Sequence, residues 1–246
     1  MNEAIKQHIK SIEKVEPIQL SPYERDTPMI YMDFGNMSTV WKQQAPSYRP
    51  DWVKPINSYP GLWARVSNDY FEFVKELALK LAPYFGASPS LESIKRISCN
   101  YAIATKLNEE LHAYQTIPHF DNLNSNQIAL VHYLCGGEFG GTGFYQHKST
   151  GVKEVISANH DRYRDHLDIE LSQGGYKEKQ YISSHHPLFD RTHYIEAEFG
   201  RIVAFPSTRL HSACLAESQL NSDVILDGRL TITSFIIFDR RELPNV

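Results

Sequence analysis

Cysteine is scarce: Cys99, Cys135 and Cys214 are odd in number, far apart, and form no CxxC pair. No disulfide framework is expected, and the three read as reduced, small apolar residues of a cytoplasmic protein. Long apolar runs are also missing. No stretch approaches the ~18 uninterrupted apolar residues of a membrane span, so no membrane partner is expected. The N-terminal Met1-Asn2-Glu3-Ala4-Ile5-Lys6 lacks the basic-then-apolar pattern of a secretion signal. A basic excess is absent too: 25 Lys and Arg against 29 Asp and Glu give a net charge of −4. That balance disfavours nucleic acid as a partner. Glycine and proline, 13 each, fall far below the roughly 25–30% of low-complexity chains. With 41% hydrophobic and 22% charged residues the chain is expected to fold, and 246 residues are ample for a core without disulfides or a structural metal. There is no G-x-S-x-G, and the Gly-Gly pairs at 136–137 and 140–141 lack the Lys-Ser or Lys-Thr of a phosphate loop.

Ile5, His8, Ile9 and Ile12 mark a short amphipathic helix over residues 3–14. Prolines 17, 22, 28, 46, 50, 55 and 60 then punctuate a segment that can be neither a long helix nor a central strand. Trp41, Trp52 and Trp63 make it an ordered arm packed on the core. The strongest helix runs from about Asn68 to Phe85, with Phe71, Val74, Leu77, Ala78 and Leu81 on its apolar face, Ser67 or Asn68 as cap and Gly86 at its end. Ser90-Leu91-Glu92 opens a shorter helical turn. From Ile94 the chain turns to strands: 94–105, 127–135, 143–147, 194–199, 201–205, 211–215 and 229–238, rich in Ile, Val, Tyr, Phe and Thr. The fold class is α+β, mainly β, as a single domain built on an antiparallel sandwich or barrel. Residues 158–193 interrupt the pattern with a short helix over 161–171 and a Gly174-Gly175 pair, and read as a lid or a surface excursion.

Among 11 histidines, His119-Phe120-Asp121 stands out. On an extended edge, side chains two apart point the same way, so an imidazole and a carboxylate there can meet one metal ion. Downstream, Arg201–Ser207 reads as a strand running into a turn, and His211 opens another strand. Two histidines and one carboxylate make the facial set that binds non-haem Fe(II) with positions left for substrate and oxygen. Arg229 opens the last apolar strand, where a guanidinium can grip a carboxylate bidentately, and Thr231 shares its face. His132 alternates with apolar neighbours and reads as a hydrogen-bonded core residue or a pocket wall. The histidines at 147, 160, 166, 185, 186 and 193 match no ligand spacing.

In this chain order the sequence resembles the Fe(II)- and 2-oxoglutarate-dependent oxygenases of the double-stranded β-helix (jelly-roll) fold. Their H-x-D, distal His and carboxylate-binding Arg align with His119, Asp121, His211 and Arg229. Asn100-Tyr101, the apolar strand Ile128–Leu134 and the turn Gly140-Gly141-Thr142-Gly143-Phe144-Tyr145 match the family's surrounding strands. Pro118-His119-Phe120-Asp121 with that turn resembles an uncharacterised bacterial family, DUF6445. The likeness covers about residues 98–147 and 194–238.

The resemblance implies a jelly-roll core over 94–240, supported by an N-terminal arm and helices over 1–93, with 158–193 as an insertion over the open end of the barrel. It implies Fe(II) on His119, Asp121 and His211, 2-oxoglutarate on Arg229 with Thr231 and Tyr101 nearby, and O2 as oxidant. Succinate and CO2 would be co-products, and the presence of the Asp121 carboxylate points to hydroxylation. The substrate is expected to be an amino acid, a peptide or a small molecule, touched by His132, Tyr133, His160, Arg162, Arg164 and His185. A homodimer is left open. The interval from His211 to Arg229 exceeds the usual one, and 217–228 reads as a loop insertion; Arg201 and Arg240 are the alternative carboxylate binders. The rival readings are a non-catalytic jelly-roll binding module and a cupin-like metalloenzyme that does not use 2-oxoglutarate.

Overall fold

The structure is a computed structural model that describes residues 3–13, 15–19, 28–46, 51–55, 59–173, 179–182, 184–215, 220 and 227–239. The Gly174-Gly175 pair, Arg240 and most of 217–228 lie outside the described residues, as do the side chains of Ile5 and His8.

In chain order the strands are β1 (Ile18–Gln19), β2 (Ile30–Asp33), β3 (Gly61–Arg65), β4 (Ile94–Ala104), β5 (Gln127–Tyr133), β6 (Gly141–His147), β7 (Phe189–Glu196), β8 (Arg201–Pro206), β9 (His211–Cys214) and β10 (Leu230–Phe238). The helices are α1 (Glu3–Ser11), α2 (Thr39–Gln44), α3 (Asn68–Leu81) and α4 (His160–Gln173). A seven-stranded sheet runs β1-β2-β8-β5-β10-β4-β3, and a three-stranded sheet runs β7-β6-β9. From β5 onward the chain passes from the large sheet to the small one, back at β8, across at β9 and back again at β10, with antiparallel pairing throughout. That winding is a double-stranded β-helix.

The N-terminal arm does more than pack on this core. Strands β1 and β2 extend the large sheet at one edge and β3 at the other, and β2 lies inside it, between β1 and β8. The expectation that the proline-rich segment held no interior strand is corrected here. Proline forbids ladder pairing only where it stands. The stretch 29–45 contains none, and it supplies both β2 and α2.

Helix α3 is capped by the Ser67 hydroxyl, which accepts from the Tyr70 amide at 3.3 Å, and its continuation ends on Gly86 at φ +70°. Its buried stripe is Tyr70, Phe73, Val74, Leu77, Ala78 and Leu81. Phe71, expected on that stripe, stands about 100° round the helix from Tyr70, and it faces solvent. The stripe packs with Trp41 on one face of the large sheet, against Ile103, Leu130, Ile202, Ile232 and Ile236. The other face, carrying Ala129, Tyr133, Val203 and Phe205, meets Phe144 and Ile195 of the small sheet. The expected turn at Ser90-Leu91-Glu92 is a single 3-10 turn over Leu91–Ser93. Among the described residues no helix is long and apolar enough to cross a membrane.

Candidate metal centre

His119 and His211 face each other in an antiparallel bridge at the start of β9, each amide donating to the other's carbonyl at 2.9 Å. Two residues on, the Asp121 amide donates to the Ser207 carbonyl at 2.8 Å, which holds the extended segment against the turn before β9. Asp121 then lies between the rings: its Oδ1 is 3.7 Å from His119 Nε2 and its Oδ2 is 3.7 Å from His211 Nε2. One donor atom from each of the three residues lies within 4.8 Å of the other two. Small side-chain rotations bring such atoms onto bonds of ~2.0–2.2 Å.

The electrostatics suit a cation. Asp121 Oδ2 is buried with no hydrogen-bond partner, a costly state for a carboxylate oxygen unless an ion completes it. Burial pushes the Asp121 carboxyl up to about 6, against the opposing pull of His119. Burial pushes His211 down to about 4, so its ring is neutral, as a ligand must be. His211 Nδ1 lies 2.8 Å from the Arg209 carbonyl, to which a neutral ring donates, leaving the Nε2 lone pair toward Asp121. The His119 side chain keeps 54% of its surface. That surface is part of the wall of a cavity, and His119 is likewise lowered to about 4, by desolvation first and then by His211.

The cavity, about 560 Å³, holds all three residues together with Arg229 and Thr231. Arg229 is 4% exposed. Its Nη2 donates to the Gly141 carbonyl at 3.1 Å, its guanidinium stands 5.5 Å from the centre of the Tyr133 ring, and its Nε has no partner. Among the described residues no carboxylate pairs with it, and a buried unpaired guanidinium is a seat for an anion. A Cβ on Gly141 would sit 2.3 Å from the Ile195 carbonyl oxygen, so this close approach of β6 to β7, which places the carbonyl that Arg229 meets, requires glycine. Thr231 Oγ1 donates to the Ala102 carbonyl at 3.3 Å.

Two of the expected residues lie on the wrong face of the large sheet. Tyr101 is fully buried under the helices and donates to the Trp41 carbonyl at 2.8 Å. His132 is on the same side, bonded to the Ser38 hydroxyl at 2.8 Å and to the Tyr70 hydroxyl at 3.1 Å. Successive residues of a strand face opposite ways, so Ala102 and Val131 flank the site instead. Tyr133 does face the site side, bonded to Thr142 Oγ1. The wall that Tyr101 was expected to form belongs to Tyr59 and Trp63. Trp63, Ala102, Thr231 and Tyr133 are paired in register across β3, β4, β10 and β5. The Trp63 indole nitrogen is buried without a partner.

The insertion lies on the side of His119, Asp121 and His211. From α4, Tyr163, Arg164 and Leu167 line the cavity, joined by Tyr181. His160, Arg162 and His185, expected to touch substrate, do not line it. His160 pairs with Asp161 and stands edge-on to Phe120, Arg162 is exposed, and His185 bridges to Asp190. The helical period brings 163, 164 and 167 to one stripe and turns 162 away from it. Helix α4 is tied down by Glu170 Oε2 at 2.7 Å from the buried His147 Nε2, and by the Tyr114 hydroxyl donating to Asp168 at 2.6 Å.

Among solved structures the chain is similar to the non-haem α-ketoglutarate-dependent epimerase SnoN of nogalamycin biosynthesis, at 11% identity over 97% of this chain and 75% of that one, TM-score 0.39. It is similar to a Pseudomonas putida prolyl-4-hydroxylase at 14% identity over 98% and 94%, TM-score 0.39. HygX from Streptomyces hygroscopicus, with nickel and 2-oxoglutarate bound, is similar at 13% identity over 88% and 87%, TM-score 0.43. No curated protein matches the sequence. The family model of DUF6445, a family of unknown function, matches residues 17–236, and the chain belongs to that family.

Proposed function

We propose that this chain is an Fe(II)- and 2-oxoglutarate-dependent oxygenase of the hydroxylating type, acting on an amino acid, a peptide or another small molecule in the cytoplasm. The observation that carries the reading is the partnerless Asp121 Oδ2, 3.7 Å from His211 Nε2, in the same cavity as the unpaired Arg229. A metal ion would complete the first, and a carboxylate would pair the second. His119, Asp121 and His211 would hold the iron, while Arg229 would grip the far carboxylate of 2-oxoglutarate with Thr231 beside it. Bound there, the iron and 2-oxoglutarate supply, with O2, the oxidation of a substrate C–H bond, with succinate and CO2 as co-products.

The chain's own residues orient and shield. The Arg209 carbonyl fixes the His211 ring by accepting from Nδ1. The Gly141 carbonyl and the Tyr133 ring set the direction of the Arg229 guanidinium. Helix α4 sets Tyr163 and Leu167 in the cavity wall, where apolar cover would limit water at the reacting atoms.

The test is metal content together with 2-oxoglutarate turnover. One iron per chain and substrate-stimulated succinate formation are expected. Iron without 2-oxoglutarate turnover would favour the cupin-like reading, and neither would favour a binding module.

A further inference from the structure

Apart from the three residues of the metal centre, the charged side chains lining the cavity among the described residues are Arg229 and Arg164. Both are cations. Arg229 lies deep, while Arg164 stands at the rim, its side chain 36% exposed. Its guanidinium is stacked 4.9 Å over the Tyr114 ring, donates to the Tyr114 hydroxyl at 3.3 Å and lies 3.5 Å from Asp168. A guanidinium has five N–H donors. Among the described residues, Arg164 Nη2 meets the Tyr114 hydroxyl and forms an ion pair with Asp168, and stacking holds the fork in place at the opening with its other N–H groups still available. Asp168, nearest of the carboxylates, is itself engaged by the Tyr114 hydroxyl.

Between this rim and the metal ligands the wall is aromatic. Phe120 meets Tyr163 edge-on at 6.4 Å, joining the segment that carries His119 and Asp121 to α4. Tyr181 donates its hydroxyl to the Lys106 carbonyl, so what it turns to the cavity is ring. The cavity offers a cationic substrate group no carboxylate except Asp121. It offers an anionic group a fork, and an apolar body a set of ring faces.

We propose that the substrate is an aromatic carboxylic acid, held by its carboxylate on Arg164 with its ring among Phe120, Tyr163 and Tyr181. The inference rests on the oxygenase reading only in treating Arg229 as the seat of the co-substrate. A carboxylate on Arg164 forms charge-assisted hydrogen bonds that its amide does not, worth about tenfold in affinity. The ring adds stacking that a straight alkyl chain lacks.

The experiment measures binding by ligand-observed NMR to the protein supplied with Zn(II) and 2-oxoglutarate. The probes are 3-phenylpropanoate, 3-phenylpropanamide and hexanoate, with zinc and 2-oxoglutarate uptake followed separately by calorimetry. The aromatic acid is expected to bind about tenfold more tightly than its amide and more tightly than hexanoate. Arg164→Gln should remove the preference for acid over amide, and Arg164→Lys should keep part of it. Equal binding of acid and amide, an acid preference that survives Arg164→Gln, equal binding of hexanoate, or no binding of any probe would each overturn the proposal. Zinc and 2-oxoglutarate uptake without preference for the aromatic acid overturns this inference alone. The preference without 2-oxoglutarate uptake supports it and overturns the oxygenase reading.

Discussion

His119 and His211 sit directly opposite each other in a backbone bridge, with 2.9 Å hydrogen bonds running both ways and ring centres 4.4 Å apart. The main chain sets the distance between the two imidazoles. Like-charged protonation of both is thereby penalised, and the neutral, ligand-ready pair is favoured.

Because the bridge is made by backbone atoms, the ring can be removed without removing the bridge. His211→Ala should lose metal by more than the ~10–100-fold that deleting a supporting hydrogen bond costs. The fold should survive. Metal content after gel filtration and a thermal melt of the metal-free protein check both halves.

Metal affinity should fall as pH drops, in two stages. Asp121 titrates near 6 in the folded protein, and only its ionised form ligates a metal. Below pH ~6 a proton must therefore leave, and Kd should rise about tenfold per pH unit. His119 and His211, lowered to about 4, are neutral through this range and add proton competition only below it. Above pH ~6 these three groups impose no further dependence. Zinc calorimetry from pH 5 to pH 8 measures the slope, and a flat line down to pH 5 would refute the assignment.

Arg229→Lys replaces a planar fork with a point charge. The Kd for 2-oxoglutarate should rise about tenfold, while metal affinity holds. Calorimetry with Zn(II) bound separates the two. A loss of metal instead would mean that Arg229 supports the ligands and not the co-substrate.

The bond between Glu170 and the buried His147 ties α4 to β6. Glu170→Ala leaves His147 Nε2 without that partner and should cost about 1–3 kcal/mol. Amide exchange in 160–173 should accelerate, while that of β5 and β10 stays slow. Uniform acceleration across the molecule would show that α4 is part of the global folding unit and not a separately opening cover.

The clustering of His119, Asp121 and His211 was legible because its logic is local. Alternation along an extended chain joins His119 to Asp121 whatever surrounds them, and His211 announces itself at the head of a strand. Sheet-face assignments were not legible where strands are buried on both sides. The inner half of β4 is buried on both faces, so no polar residue marks its parity. Tyr101 and Ala102 were indistinguishable until the helices above were known. Trp63 and Tyr59 were hidden for another reason: Trp63 reaches the site through cross-strand pairing with Ala102, far along the chain, and the Tyr59 ring stands beside it at 6.0 Å. On α4 the reading named polar residues, of which Arg164 lines the cavity while His160 and Arg162 do not, and it passed over Tyr163 and Leu167 on the same stripe.

Strand β10 fills a slot between β4 and β5, which do not pair with each other. On the ribosome, residues 94–133 emerge with two open strand edges and wait for residues 230–238 to separate and satisfy them. At ~5–20 residues per second that wait lasts on the order of 5–20 s, and open edges are templates for aggregation. Synthesis of this protein should therefore lean on chaperones that shield extended chain. A premature stop before Leu230 should yield insoluble material, not a weakened protein, because its sheet would be split down the middle.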